Sequence, residues 1–400
     1  VRPDRGYAGL GGPTRDHPKA ADPEEFSLVL GGPLYQLLLR TRLAARPPLD
    51  LLKRRIAALT LLAWLPLLVL SALEGRAFGD GGISFLEDLD AQVRLLVALP
   101  LLILAEKIVH ERLRPGVTLF VEKGIVRPED RPRFDRIVSS TMRWRNSVVV
   151  ELGLLAFVFS GGHTIWAERL AVHGPTWFAG PADARLGLSR AGLWYVWISL
   201  PIVQFLLLRW WYRLILWCRL LFLVSRLELN LSPSNPDRAG GLGFLGTSAA
   251  AFAPFLTAQS AIVSALVAGR ILQHGAQLQD FKLELGGFLV FALLQALGPL
   301  MVFAPTLLEA KRRGLRQYGV LADRYVKEFD RKWIHGGAAP DEPLVGSGDI
   351  QSLADLANSF DVVQQMRPFP FGKETVIPLA VTVVLPGLPL VLTVIPFEEL

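Results

Sequence analysis

The sequence predicts an all-α fold: a polytopic transmembrane helix bundle of about seven spans with cytoplasmic amphipathic helices. Three observations carry this. Of the 400 residues, 51% are hydrophobic, and the mean hydropathy is +0.37, high for a water-soluble chain of this length. The apolar residues gather in uncharged runs of about 20, the number a helix rising about 1.5 Å per residue needs to cross hydrocarbon. Lys and Arg concentrate between alternate runs.

Residues 1–25 hold Arg2, Pro3, Asp4, Gly11, Gly12 and Pro13, without the apolar core of a secretory signal. This composition predicts a disordered tail. Residues 26–308 form the expected bundle with its cytoplasmic loops. The predicted spans are 56–73, 93–109, 147–166, 191–208, 247–269 and 285–308. Residues 309–374 make a cytoplasmic helical segment, and 375–400 a last, Pro-rich membrane segment with its apolar core at 375–395. Span two has a short core, Leu95 to Ala105, flanked by Arg94, Glu106 and Lys107; either these long side chains snorkel to the interfaces or the segment is re-entrant. Span seven holds Pro378, Pro386 and Pro389, which predict a kinked span or a re-entrant hairpin.

Orientation follows from the basic residues. With the N-terminus cytoplasmic, seven spans leave only Arg76, Arg94, Arg169, Arg185, Arg190, Arg270 and Lys282 on the far side. That distribution predicts a multi-pass protein of a bacterial inner membrane. The net charge of +6 then reflects loops facing anionic lipid and gives no reason to expect a nucleic-acid partner. Span four continues with helical spacing through Trp211, Leu214, Trp217 and Leu221, so one long helix is expected to about Arg226. Arg209, Arg213, Arg219 and Arg226 are placed near lipid phosphates, with an anion or substrate path as the alternative.

Outside the spans, Leu315, Tyr318, Ala322, Tyr325, Phe329 and Trp333 fall on one helical face. Ile350, Leu353, Leu356, Phe360 and Val363 repeat the pattern, with Asp349 as the expected N-cap. A third amphipathic stretch runs from Arg133 to Trp144. These faces are expected to pack on the protein's own cytoplasmic surface, with the bilayer interface, another copy in a homo-oligomer, or a cytoplasmic protein partner as alternatives.

The most distinctive string is Asn235-Pro236-Asp237-Arg238-Ala239-Gly240-Gly241-Leu242-Gly243-Phe244, leading into span five. By this string, and by 355–371 downstream, the chain resembles an uncharacterised family of bacterial multi-pass membrane proteins. That family carries a similar Asn/His-Pro-Asp-Arg-Ala-Gly-Gly-Leu-Gly-Phe element before a transmembrane helix. The resemblance covers a minority of the chain and implies a membrane fold without an activity. Gly241-x-Gly243-x-x-Gly246 matches the expression of a dinucleotide loop. A membrane helix follows it in place of the strand, soluble helix and acid that the fingerprint needs, which argues against a nucleotide cofactor. Asp237, Arg238, Gly240, Gly241 and Gly243 therefore read first as a structural elbow capping span five, and second as an anion site.

Two further residues are functional candidates. Glu151 is a carboxylate inside span three; it is either a working intramembrane acid or an acid favoured by a helix N-terminus and reaching water. His163 is either interfacial or a proton carrier. The six histidines are scattered, so no metal is expected, and the single Cys218 excludes an intrachain disulfide. In span five, Ser260 and Ser264 with Ala261 and Ala265 make small-residue stripes for close packing, and Gln259 and Gln295 are placed to bond between spans five and six. No catalytic constellation is visible. Lys373 precedes the last span, unlike the mid-helix lysine of retinal proteins. The functions left are movement or sensing of a small solute or ion, a non-catalytic scaffold docking a partner through the cytoplasmic helices, and, third, a lipid-modifying enzyme using the Asp237-Arg238 region.

Overall fold

The computed structural model describes residues 26–33, 51–78, 82–162, 176–178 and 187–391. Among them every regular element is a helix, and β pairing is confined to two isolated bridges, Ile83 with Thr176 and Val126 with Leu229. The tail at 1–25, His163 and the far ends of spans three and seven lie outside the described residues.

Helix α1, Leu52–Leu73, carries its charges in the first turn and none after Arg55. Leu61, Leu62, Leu65 and Val69 stay exposed, the face an apolar medium would cover. Helix α2 occupies residues 89–122 as Leu89–Val93, a π turn at Arg94–Ala98, and Leu99–Glu122. The Asp88 carboxylate caps its start by accepting from Ala91 N at 3.0 Å. Helix α3 is Arg131–Arg145. Helix α4, Val148–Gly161, starts at a Ser147 cap. Helix α5, Arg190–Val224, starts at a Ser189 cap and extends past Trp210 as the spacing predicts. Helix α6 is Phe244–Gln273, α7 Leu278–Ile334, α8 Gly348–Gln364 and α9 Lys373–Val391.

Among the described residues, α1, α5, α6, α7 and α9 are the five helices long and apolar enough to cross a membrane; α4 is a shorter apolar helix. Two expected spans fall outside these five. The third is α4, described only to residue 162; the second lies in α2, where Glu106, Lys107, Glu111, Arg112 and Arg114 interrupt the apolar run. Yet Leu95, Ala98, Leu99, Leu102 and Ala105 have no exposure at all. This rod packs against α1, α5 and α6. Its environment is other helices, so its side chains can be charged where partners wait.

Helix α7 joins what the sequence divides at 308. A 3-10 stretch at Gly298–Phe303 runs into Ala304–Phe329, and Lys311, Arg312 and Arg313 continue the rod because such residues favour helix. Its 57 residues correspond to about 85 Å, far beyond a hydrocarbon layer of about 30 Å. The far half of α7 packs its apolar face on α8. Tyr325 Oη donates to Asp349 O at 3.0 Å and Trp333 Nε1 to Asp349 Oδ2 at 3.0 Å. The N-cap of α8 is Ser347, whose Oγ accepts from Asp349 N. Asp349 is drawn away from capping because Lys332 and Trp333 take its carboxylate.

Helix α9 contains Pro378 and a 3-10 turn at Leu385–Gly387, and within the described residues it runs on as one helix from Lys373 to Val391 without reversing. The small stripe of α6 receives it: Ser260 Oγ donates to Val383 O, and Ser264 Oγ lies against Gly387. Gln259 and Gln295 exchange amide bonds of 2.9 and 3.2 Å between α6 and α7, the pairing their placement predicts.

Candidate functional site

The Asn235–Phe244 string folds around one carboxylate. Asp237 Oδ1 accepts from Ala239 N at 2.8 Å and Gly241 N at 3.1 Å, and Oδ2 from Gly243 N at 2.9 Å. Three backbone donors of the loop before α6 are thereby satisfied, and α6 itself starts from Gly243 without a side-chain cap, so Asp237 builds the elbow and does not cap the helix. Arg238 adopts a φ of +53°, and its carbonyl accepts from Arg367 N at 2.7 Å. Gly240, at φ +64°, has Met366 and Leu231 beside it. The elbow thus ties the start of α6 to the segment after α8.

Glu151 belongs to a different place. Its Oε1 meets Arg209 Nη2 at 3.2 Å. Arg209 Nη1 is 3.4 Å from Glu106 Oε1, and Arg213 Nη2 is 2.9 Å from the same oxygen. Arg55 pairs with Glu106 Oε2. Glu106, Arg55, Arg209 and Arg213 are exposed by only 5%, 2%, 4% and 2%. Arg209 and Arg213 lie four apart on α5 and so share a face. That face turns toward α2 and away from the surface, which corrects their expected place among lipid phosphates. Arg219 reaches Ser140 Oγ at 3.0 Å, and only Arg226 of the four is exposed.

The segment 26–33 closes over this centre. Phe26, Leu28 and Val29 anchor it in the core. Arg145 Nη1 donates to Ser27 O, Arg209 Nη2 to Gly31 O at 3.2 Å, and His110 Nδ1 lies 3.0 Å from Ser27 Oγ. Gly31 and Gly32, at φ +150° and +87°, let the backbone pass; a Cβ on Gly32 would sit 2.6 Å from Glu151 Oε1. Burial and Arg114 hold His110 below its ordinary value. Burial and the neighbouring Arg209 bring Arg145 down to about 10, still protonated.

An apolar groove of about 560 Å³ adjoins the centre, running from Pro33 and Glu151 past Leu155, Phe159, Trp197 and Phe205. At the other end of α2 lies a second polar knot. Asp90 pairs with Arg94 at 2.5 Å, Trp177 Nε1 donates to Asp88 Oδ2 at 2.9 Å, and Gln92 bridges Trp64 Nε1 and Phe85 O, both at 2.7 Å.

Of the residues expected to be functional, Asp237, Arg238, Gly240, Gly241 and Gly243 share the elbow, Glu151 sits in the charge centre, and His163 lies outside the described residues. Sequence reasoning missed Glu106, Arg55, Arg145 and the inward turn of Arg209 and Arg213. The available signal was the coincidence of opposite charges in apolar helices, which must find one another. Among the described residues no group of three or more His, Cys, Asp and Glu is placed to hold a metal. Comparison with family models, with curated proteins and with solved structures gives no match.

Proposed function

We propose that the chain is a multi-pass protein of a bacterial inner membrane, with about seven spans and a cytoplasmic N-terminus, that moves or senses a small solute or ion at the Glu106 centre. One observation carries this reading: Arg55, Glu106, Glu151, Arg209 and Arg213 converge from four helices in a place that excludes water. Charge withdrawn from water is costly and is kept where it handles ions, solutes or protons. The Asn235–Phe244 element supports membership of the family it resembles, and the basic loops support the orientation. The test is flux of labelled ions and small solutes in liposomes holding the full chain. Movement above that of empty liposomes, lost on Arg209→Gln, is expected. No flux, together with no solute-dependent change in the protein's fluorescence, would reject it.

The second reading is a scaffold. The far half of α7 leaves Val320, Leu321, Val326 and Ile334 exposed, apolar side chains that another protein could cover. Copurification of a stoichiometric soluble partner, lost on Val320→Asp, would favour it.

A further inference from the structure

Charge bookkeeping within the Glu106 centre leaves a remainder. Among the described residues, Arg55, Arg209 and Arg213 pair with Glu106 and Glu151, and Arg145 stands near enough to Arg209 to be repelled by it: four guanidinium groups against two carboxylates, a surplus of two positive charges. Arg145 makes its contacts with neutral acceptors, Ser27 O and Asn146 Oδ1. Arg213 is buried, and its Nη1 has no hydrogen-bond partner, although Nη2 of the same group is bound to Glu106. A buried guanidinium nitrogen without an acceptor is costly, and more so beside other cations.

We propose that this centre binds one phosphate-type oxyanion, free or as a lipid headgroup. A phosphate group carries between one and two negative charges near neutral pH and several acceptor oxygens, so it balances the surplus and supplies Arg213 Nη1 with an acceptor. Guanidinium forks are the side chains best matched to such a group. The carbonyls of Ser27 and Gly31 already occupy donors of Arg145 and Arg209, so Arg213 Nη1 is the donor left for the anion. The groove running from Glu151 gives a headgroup room for its acyl chain, which is why both sources are tested. The inference deepens the proposed function by naming the ligand class of the same centre.

The experiment is calorimetric titration of the purified full chain in detergent. One arm uses inorganic phosphate and the other short-chain phosphatidic acid below its micelle concentration. Saturable binding in at least one arm is expected, weakened about tenfold or more by Arg213→Gln. Arg213→Lys keeps the charge without the fork and falls between. Arg219→Gln, outside the centre on the same helix, leaves binding unchanged. Binding in the phosphate arm assigns a free anion; binding by phosphatidic acid alone assigns a lipid headgroup. Should Arg213→Gln not fold, Arg145→Gln at the rim gives the same reading. No saturable binding in either arm, or binding indifferent to both Arg213→Gln and Arg145→Gln, overturns the inference. Binding without flux or a solute-dependent signal rejects the proposed function alone; flux without binding rejects the anion alone.

Discussion

At the Asp88 end of α2, two carboxylates and one guanidinium meet, and neutral donors from Trp177 and Ala91 serve Asp88. From Arg94 to Glu106, about 18 Å along the same rod at about 1.5 Å per residue, the balance inverts. There one glutamate is shared by three arginines, and a glycine-paved segment seals the assembly. The first knot holds elements in place with charges that nearly cancel locally. The second concentrates charge of one sign where water is excluded, an arrangement that costs stability and is explained by a ligand. The difference teaches that buried charge in a helical bundle is read by its balance more than by its presence.

The largest break in this comparison comes from Glu106→Gln. It strands Arg55 and Arg213, while Arg209 keeps Glu151, and should cost about 3–5 kcal/mol, read as a fall in thermal midpoint in detergent. A loss below about 1 kcal/mol would mean the arginines do not depend on it. Next is Gly32→Ala, which combines an unfavourable φ with a clash against Glu151. Gly75→Ala at the end of α1 carries only the left-handed φ, with open space around it. The first should exceed the second by about 1–3 kcal/mol in denaturant titration; equal losses would show that the 26–33 segment is not pressed onto the centre.

Asp88→Asn gives a small effect by the same chemistry that makes Glu106→Gln severe. Burial raises the Asp88 carboxyl above its ordinary value, against the Trp177 and Ala91 donors. The amide relieves the charge and forfeits one hydrogen bond, for a net change of about 1 kcal/mol or less at neutral pH. Because the folded value exceeds the unfolded one, the contribution of Asp88 is fully present below the ordinary aspartate range and is lost as pH rises through the raised value. The Asp88→Asn variant should lack that part of the pH profile.

The smallest effect lies outside both knots. Lys332 and Trp333 hold the Asp349 carboxyl below its ordinary value. That contribution is complete above the ordinary aspartate range and disappears as pH falls through the lowered value. Amide exchange at the start of α8 should rise at acid pH in the wild type and be already raised in Asp349→Asn. Wild-type protection that ignores acid would contradict the pairing.

Helix identity was legible wherever an apolar run keeps an exposed apolar face, as in α1, because composition there has one purpose. It was legible too on α7, where Leu315, Tyr318, Tyr325 and Phe329 kept helical spacing against α8. The helix expected at 93–109 lies within α2, but what its charges do was not legible, because its neighbours are helices and its charges are paired with residues up to 107 positions away. No local pattern announces such partners. For the same reason the elbow stood out, its glycines being a local signal, while Arg55 looked like any basic residue before a span. Asp349 shows the limit in miniature: its position suits a cap, and a lysine 17 residues earlier takes it.

The most direct test of the central claim is a double-mutant cycle on Glu106 and Arg213, followed by thermal unfolding of the full chain in one detergent. Glu106→Gln leaves a centre with three surplus positive charges; adding Arg213→Gln returns it to two. The account predicts that the double variant is more stable than Glu106→Gln alone, with a coupling of about 1–3 kcal/mol. A double variant that loses the sum of the two single losses would contradict it.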